Sequence, residues 1–171
     1  MSPPRRFEPS GPLRGKLSPP PDKSISHRAA LIGAMAEGTT RIDGYLDAAD
    51  TRAALSAIRL LGAEVTETGN AARGLALDVR GIGLTGPGAV AGTGEVEIDV
   101  GNAGTLLRIM PGWLAGQGGG EWTLDGDESI RRRPVDRVAD PLGLMGADVD
   151  SRDGLPPLRV RGARLSGIDY E

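Results

Sequence analysis

Three short runs in the 171-residue chain carry residue types suited to holding phosphate. The first is Pro21-Asp22-Lys23-Ser24-Ile25-Ser26-His27-Arg28. Its prolines fix the approach to a helix whose first backbone N–H groups have no partner inside that helix. Lys23 adds a point charge, Ser24 a hydroxyl, and Arg28 returns to the face of Ser24 one turn later. The same letters suit a plain cap, with Asp22 or Ser24 closing the helix and Lys23 and Arg28 in water. The second run, Gly101-Asn102-Ala103-Gly104-Thr105-Leu106-Leu107-Arg108, directly follows a strand. Small residues let a ligand approach the backbone there, and the next helix again offers free amides. Arg108 reads as an ion pair inside the fold. The third run is Asp125-Gly126-Asp127-Glu128-Ser129-Ile130-Arg131-Arg132-Arg133-Pro134. Proline suits the first turn of a helix, which sets the planar fork of Arg133 at a helix mouth. Arg131 and Arg132 read as a solvated charge run, and Asp125, Asp127 and Glu128 as turn or cap residues rather than a magnesium site. Asp50 likewise reads as an N-cap, not a catalytic acid.

The elements that must position these runs repeat. Apolar spacing predicts helices over 24–36 and 50–61, the first stopped by Gly38 and the second by Gly62. Strands are expected over 39–42, 64–67 and 75–79, the last two joined by a Gly-Asn turn. In the second half the same order returns, with strands over 96–100 and 121–124, helices over 104–115 and 134–145, and closing strands at Val149 and 158–160. Gly62-Ala63 recurs as Gly146-Ala147, and Val79-Arg80-Gly81 as Val160-Arg161-Gly162. A period near 80 is too long for a solenoid and points to two copies of a small α/β unit.

Absences narrow the chemistry. Without cysteine the chain has no disulfide framework, thiol nucleophile or iron–sulfur cluster, and its single histidine, His27, makes no multi-histidine metal site. No apolar run reaches the roughly 20 residues that span a bilayer, and the start reads as polar rather than as a signal core, so a cytoplasmic protein is expected. Residues 1–85 carry 11 basic and 9 acidic groups, and residues 86–171 carry 9 and 14. With aromatics at 3%, neither a basic face nor a stacking platform for nucleic acid is expected. Gly81-Ile82-Gly83-Leu84-Thr85-Gly86 matches the dinucleotide fingerprint, but Pro87 and Gly88 are not expected to open a helix, so it reads as a turn. Gly11 to Gly15-Lys16 is one residue short of a P-loop and has Leu17 where a magnesium-binding hydroxyl belongs.

Taken in order, D-K-S-I-S-H-R, G-N-A-G-T-L-L-R and G-D-E-S-I-R-R-R-P resemble the 5-enolpyruvylshikimate-3-phosphate synthase family. The likeness runs from about Leu13 to Glu171, through D-T-R-A-A-L-S-A-I-R-L-L-G-A-E-V and the ending G-I-D-Y-E. It implies an α/β, enolpyruvyl transferase-like fold, with two βαβαββ units of one globule and the rest of the family fold absent. On that pattern residues 1–18 hold a strand that joins the second globule, 19–92 form the first unit and 93–171 the second. The activity it implies is transfer of the enolpyruvyl group of phosphoenolpyruvate to the 5-hydroxyl of shikimate 3-phosphate, releasing phosphate, in the shikimate pathway to chorismate and the aromatic amino acids. Lys23, Ser24 and Arg28 match positions that hold shikimate 3-phosphate. Lys23, Asn102, Gly104 and Arg133 match positions that contact phosphoenolpyruvate or support its loop. No metal or organic cofactor is implied. Glyphosate is the implied inhibitor, and a monomer, free of nucleic acid and membrane, the implied state of the complete protein.

The chain departs from the pattern at Pro21, where many relatives have glycine, which stiffens the entry to the first run. It also ends before the Ser/Ala-Gln segment of the family and before the carboxylates and lysine that handle proton transfer. The resemblance therefore implies a fragment with part of the substrate site, no confident catalytic residue of its own and little turnover. A non-catalytic phosphate-binding module is the alternative. The UDP-N-acetylglucosamine enolpyruvyl transferases rank lower, because they have asparagine after the lysine and usually a reactive cysteine.

Overall fold

A computed structural model describes residues 6, 9, 11–70, 74–88 and 94–170. In chain order the elements are α1 (Lys23–Met35), β1 (Glu37–Tyr45), α2 (Ala49–Leu60), β2 (Glu64–Asn70), β3 (Leu75–Ile82), β4 (Glu95–Asp99), α3 (Gly104–Ala115), β5 (Glu121–Asp125), α4 (Asp136–Leu144), β6 (Asp148–Arg152) and β7 (Leu155–Arg161). Asp22 caps α1, its carboxylate accepting from the Ile25 N–H at 2.8 Å. The helix ends at Met35 because Ala36 is already extended, two residues before the expected stop. Gly38 instead lies in β1 with φ +92°. The Gly-Asn pair also differs from expectation, since Gly69 and Asn70 still pair with β3 across a bulge.

The two halves repeat each other in detail. The first sheet has the order β1-β3-β2 and is antiparallel throughout; the second has β4-β5-β7-β6, in which β5-β7-β6 copies that order. The four-stranded sheet adds β4, parallel to β5, with Ile98 beside Leu124. Residues 12–22 form no strand, and Leu13 and Leu17 are exposed, so the first sheet has no counterpart of β4. Helices α2 and α4 end alike: the Ala63 N–H donates to Ile58 O and the Ala147 N–H to Leu142 O, both at 3.0 Å. Each closure needs a left-handed residue, supplied by Gly62 (φ +102°) and Gly146 (φ +106°).

One apolar core runs through both halves. Leu31 of α1, Leu55 and Ile58 of α2, and Leu106, Leu107 and Met110 of α3 pack with Leu77, Val79, Trp122, Leu124 and Val160 from the sheets. Trp122, on the inner face of β5, is the largest fully buried side chain. The sheets thus cover one side of the helices, and the helix starts are brought together at one end.

Candidate anion site at the helix starts

Close packing unites the starts of α1, α2 and α3. Lys23, the first residue of α1, forms an ion pair with Asp50, in the first turn of α2. One turn further along α2, Ala53 lies against Gly101, where an added Cβ would sit 3.7 Å from the Ala53 Cβ. Gly101 opens the loop into α3, so the first two sequence runs share one end of the molecule.

In the first run the capping reading holds for Asp22, but Lys23 is not simply in water. Its partner Asp50 is not the N-cap of α2 either; Ala48 holds that position, and the Thr51 hydroxyl accepts from the Ala48 N–H at 3.2 Å. Burial alone would raise the Asp50 pKa, but the Lys23 ammonium and the Thr51 N–H outweigh it and hold the carboxyl below its ordinary range. Ser24 and Arg28 are exposed. The Arg28 guanidinium donates to Ser24 O at 3.0 Å, keeping it over the helix start. His27 is fully buried, and neither ring nitrogen has a hydrogen-bond partner. Burial pushes its pKa down; Asp50 opposes this, while Lys23 and Arg28 add to it.

The second and third runs meet each other. The Gly101 N–H donates to Asp99 Oδ1 at 2.7 Å, the Ala103 N–H to Val100 O at 2.8 Å, and the Asp127 N–H to Gly101 O at 2.8 Å. These bonds fix the loop and leave the Asn102 side chain exposed. Ala103 at the N-cap offers no side-chain oxygen to the first amides of α3. Arg133 reaches this helix start: a Cβ on Gly104 would meet its Nη1 at 2.5 Å. That placement corrects the expectation for Pro134, since α4 begins only at Asp136 and Arg133 sits in the turn before it. The turn is held by Asp127, whose Oδ1 accepts from the Ser129 and Ile130 amides, as a cap residue would.

Arg108 also differs from expectation. Instead of an ion pair it donates to Gly104 O at 3.3 Å and to Pro134 O at 3.2 Å. Burial lowers its pKa, and the neighbouring cations Arg133 and Arg137 lower it further. Among the described residues none of these three arginines is in a salt bridge, whereas Arg131 pairs with Asp125 and Arg132 with Glu128. The guanidiniums of Arg108 and Arg133 crowd the Gly104 start of α3, where no side chain caps the helix, an arrangement suited to an anion.

The remaining concavities are different in character. One of about 590 Å³ is lined by Glu97, Asp99, Thr123, Asp125, Asp127 and Arg131, and its acidic wall repels an anion. Among the described residues no group of acids and histidine is arranged to hold a metal, and no helix is long and apolar enough to cross a membrane. Leu84 O accepts from the Trp113 and Gln117 side chains at 2.7 and 3.0 Å, which docks the glycine-rich 81–86 turn onto α3. Pro87 and Gly88 are helical, contrary to expectation, but the turn amides of Gly86 and Gly88 bond back to Gly83 and Thr85. Asp50 had no signal in local spacing, because its partner lies 27 residues earlier in another helix. Arg137 had one, standing four residues after Arg133.

The comparisons agree over nearly the whole chain. The family described as EPSP synthase (3-phosphoshikimate 1-carboxyvinyltransferase) matches residues 7–171. The 3-phosphoshikimate 1-carboxyvinyltransferase of Synechococcus sp. (strain CC9605) is 46% identical over 96% of this chain and 36% of its own length. The protein of that name from Alkalilimnicola ehrlichii is 47% identical over 95% of this chain and 35% of its own length. Among solved structures, an EPSP synthase from Acinetobacter baumannii superposes with a TM-score of 0.76 at 36% identity, covering 91% of this chain and 34% of that one. The chain therefore spans about a third of the length of the relatives it matches.

Proposed function

The chain belongs to the EPSP synthase family, and on that premise we propose that it supplies part of the substrate site of a 3-phosphoshikimate 1-carboxyvinyltransferase. The whole protein transfers the enolpyruvyl group of phosphoenolpyruvate to the 5-hydroxyl of shikimate 3-phosphate. A new ether bond forms at the enolpyruvyl carbon, the bond from that carbon to the phosphate oxygen breaks, and inorganic phosphate leaves. Lys23, Ser24 and Arg28 hold shikimate 3-phosphate. Lys23, Gly104 and Arg133 hold phosphoenolpyruvate, with Asn102 supporting the loop. No metal or organic cofactor takes part, and glyphosate competes where phosphoenolpyruvate binds. Residues 19–92 and 93–171 act as two repeats of one globule, with residues 1–18 joining a second globule; the complete protein is a cytoplasmic monomer.

One observation carries this reading: the Lys23–Arg28 start of α1 and the Gly104–Arg133 start of α3 share one end of the fold, linked through α2. Two anionic substrates repel each other, and bringing them together needs cations and oriented amides on both. The test is calorimetric titration of the chain with shikimate 3-phosphate, phosphoenolpyruvate and inorganic phosphate. Shikimate 3-phosphate should bind at least about tenfold more tightly than phosphate, and Arg28→Ala should remove most of that difference. Equal, weak binding of every phosphoester would instead mark a non-catalytic phosphate-binding module.

A further inference from the structure

Asp50 is held at both oxygens. Its Oδ1 accepts from the Thr51 N–H at 2.8 Å, and its Oδ2 pairs with the Lys23 ammonium. The carboxylate is only 10% exposed, while the Lys23 side chain is 50% exposed. The pair thus has one fixed, buried end on α2 and one end facing the solvent on α1. A helix-start carboxylate serving α2 alone would turn both oxygens to water or to its own amides, whereas Asp50 turns one of them to α1. His27 lies buried one turn beyond Lys23 and makes no hydrogen bond, so it does not compete for the Asp50 oxygens.

We propose that Asp50 is a positioning residue for the anion site, holding the Lys23 ammonium between α1 and α2 so that its other donors face the incoming phosphate. An ammonium has three donors, and Asp50 takes one. Asp50 also has a cost, because its negative charge lies close to where an anion binds. Orientation and repulsion predict opposite signs when the charge is removed, which makes the proposal decidable. It rests on the functional reading above for the identity of the anion, but not for the Lys23–Asp50 contact itself.

The chain has two lysines, Lys16 and Lys23, so nitrogen-15 NMR of the side-chain ammonium groups resolves them. In the ligand-free wild-type chain Lys23 should give a slowly exchanging signal whose shift follows a carboxylate titration; exposed Lys16 should show neither. In Asp50→Asn, which keeps the acceptor for the Thr51 N–H, that signal should be lost and shikimate 3-phosphate should bind about tenfold more weakly. Asp50→Glu should restore part of the affinity. A wild-type Lys23 that behaves like Lys16 overturns the proposal, even where Asp50→Asn does not fold. Unchanged or tighter binding by folded Asp50→Asn overturns it too. Absence of shikimate 3-phosphate binding by wild type, with the Lys23 signal present, overturns the functional reading instead.

Discussion

Gly104 and Arg133 share one small space: a Cβ on Gly104 would lie 2.5 Å from Arg133 Nη1, with Arg108 Nη1 at 3.3 Å. The obstructing atoms are the ends of flexible side chains, so an added methyl displaces the guanidinium rather than the backbone. Gly104→Ala should therefore fold, with a melting temperature within about 3 °C of wild type, equivalent to about 1 kcal/mol. On the function proposed above its cost falls on the ligand, because Arg133 loses its place beside the start of α3. Phosphoenolpyruvate affinity should drop about tenfold by calorimetry. A variant that melts far lower yet binds normally would show that Gly104 is a packing residue only.

The arginines around Gly104 repel one another in the free chain, and burial plus Arg133 and Arg137 already depress the Arg108 pKa. An anion that binds there relieves the repulsion and stabilises the fold by mass action. At tenfold excess over its dissociation constant, phosphate should add about 1.4 kcal/mol, or about 4 °C in melting temperature. Chloride at equal ionic strength should not match it. Arg133→Gln should abolish the difference between the salts; an equal gain in that variant would place the phosphate elsewhere.

His27 sets the first acid response. Its folded-state pKa is depressed below the ordinary 6.5, chiefly by burial. Above 6.5 both folded and unfolded chains carry a neutral ring and no stability changes. As pH falls through 6.5, the unfolded chain takes up a proton that the folded chain refuses, so stability declines, by at most about 1.4 kcal/mol per pH unit. The depressed carboxyls Asp50 and Asp125 act in a lower window: their stabilisation is present above the ordinary carboxylate pKa and is lost as pH falls below it. Since the chain has one histidine, urea midpoints between pH 7.5 and 5 read it alone. His27→Leu should flatten that arm. An unchanged slope in the variant would mean that another group carries it.

Legibility from sequence followed the range of the interactions. The helix cap at Asp22, the glycine closure at Gly62 and the repeat itself are readable, because each depends on residues within a turn or on a pattern that recurs. The start of α4 was misplaced because Pro134 suits a first turn, yet Arg133 and Pro134 are drawn towards α3, where Arg108 binds Pro134 O. The ion pair of Lys23 with Asp50 and the crowding of Arg108 with Arg133 join elements far apart in the chain. Such pairings are set by how α1, α2 and α3 pack on the sheets, which no local spacing records. Sequence spacing thus offers residue types for a candidate site, while their wiring emerges only from the packing of the helices.

The repeat also makes a prediction about glycine. Gly81 and Gly162 stand at equivalent places, where β3 and β7 pass beneath the ends of α1 and α3. A Cβ on Gly81 would run into Ala36 O, and one on Gly162 into Gln117 O. Both obstacles are backbone, unlike the mobile guanidinium beside Gly104, so strand or helix end must shift. Gly81→Ala and Gly162→Ala should each lose about 3 kcal/mol in urea unfolding, at the upper end for overpacking. Gly112 provides the opposite sign. It is an exposed position within α3 where a Cβ meets nothing within 4 Å, so Gly112→Ala should gain about 0.5–1 kcal/mol by limiting the unfolded chain. Equal losses at all three positions would run against the higher helix propensity of alanine and would mean that the close approach of backbone at Gly81 and Gly162 does not set them apart from Gly112. Loss at Gly81 and Gly162 with gain at Gly112 would show that the close strand-to-helix crossing, made twice, is the feature that requires glycine at the ends of α1 and α3.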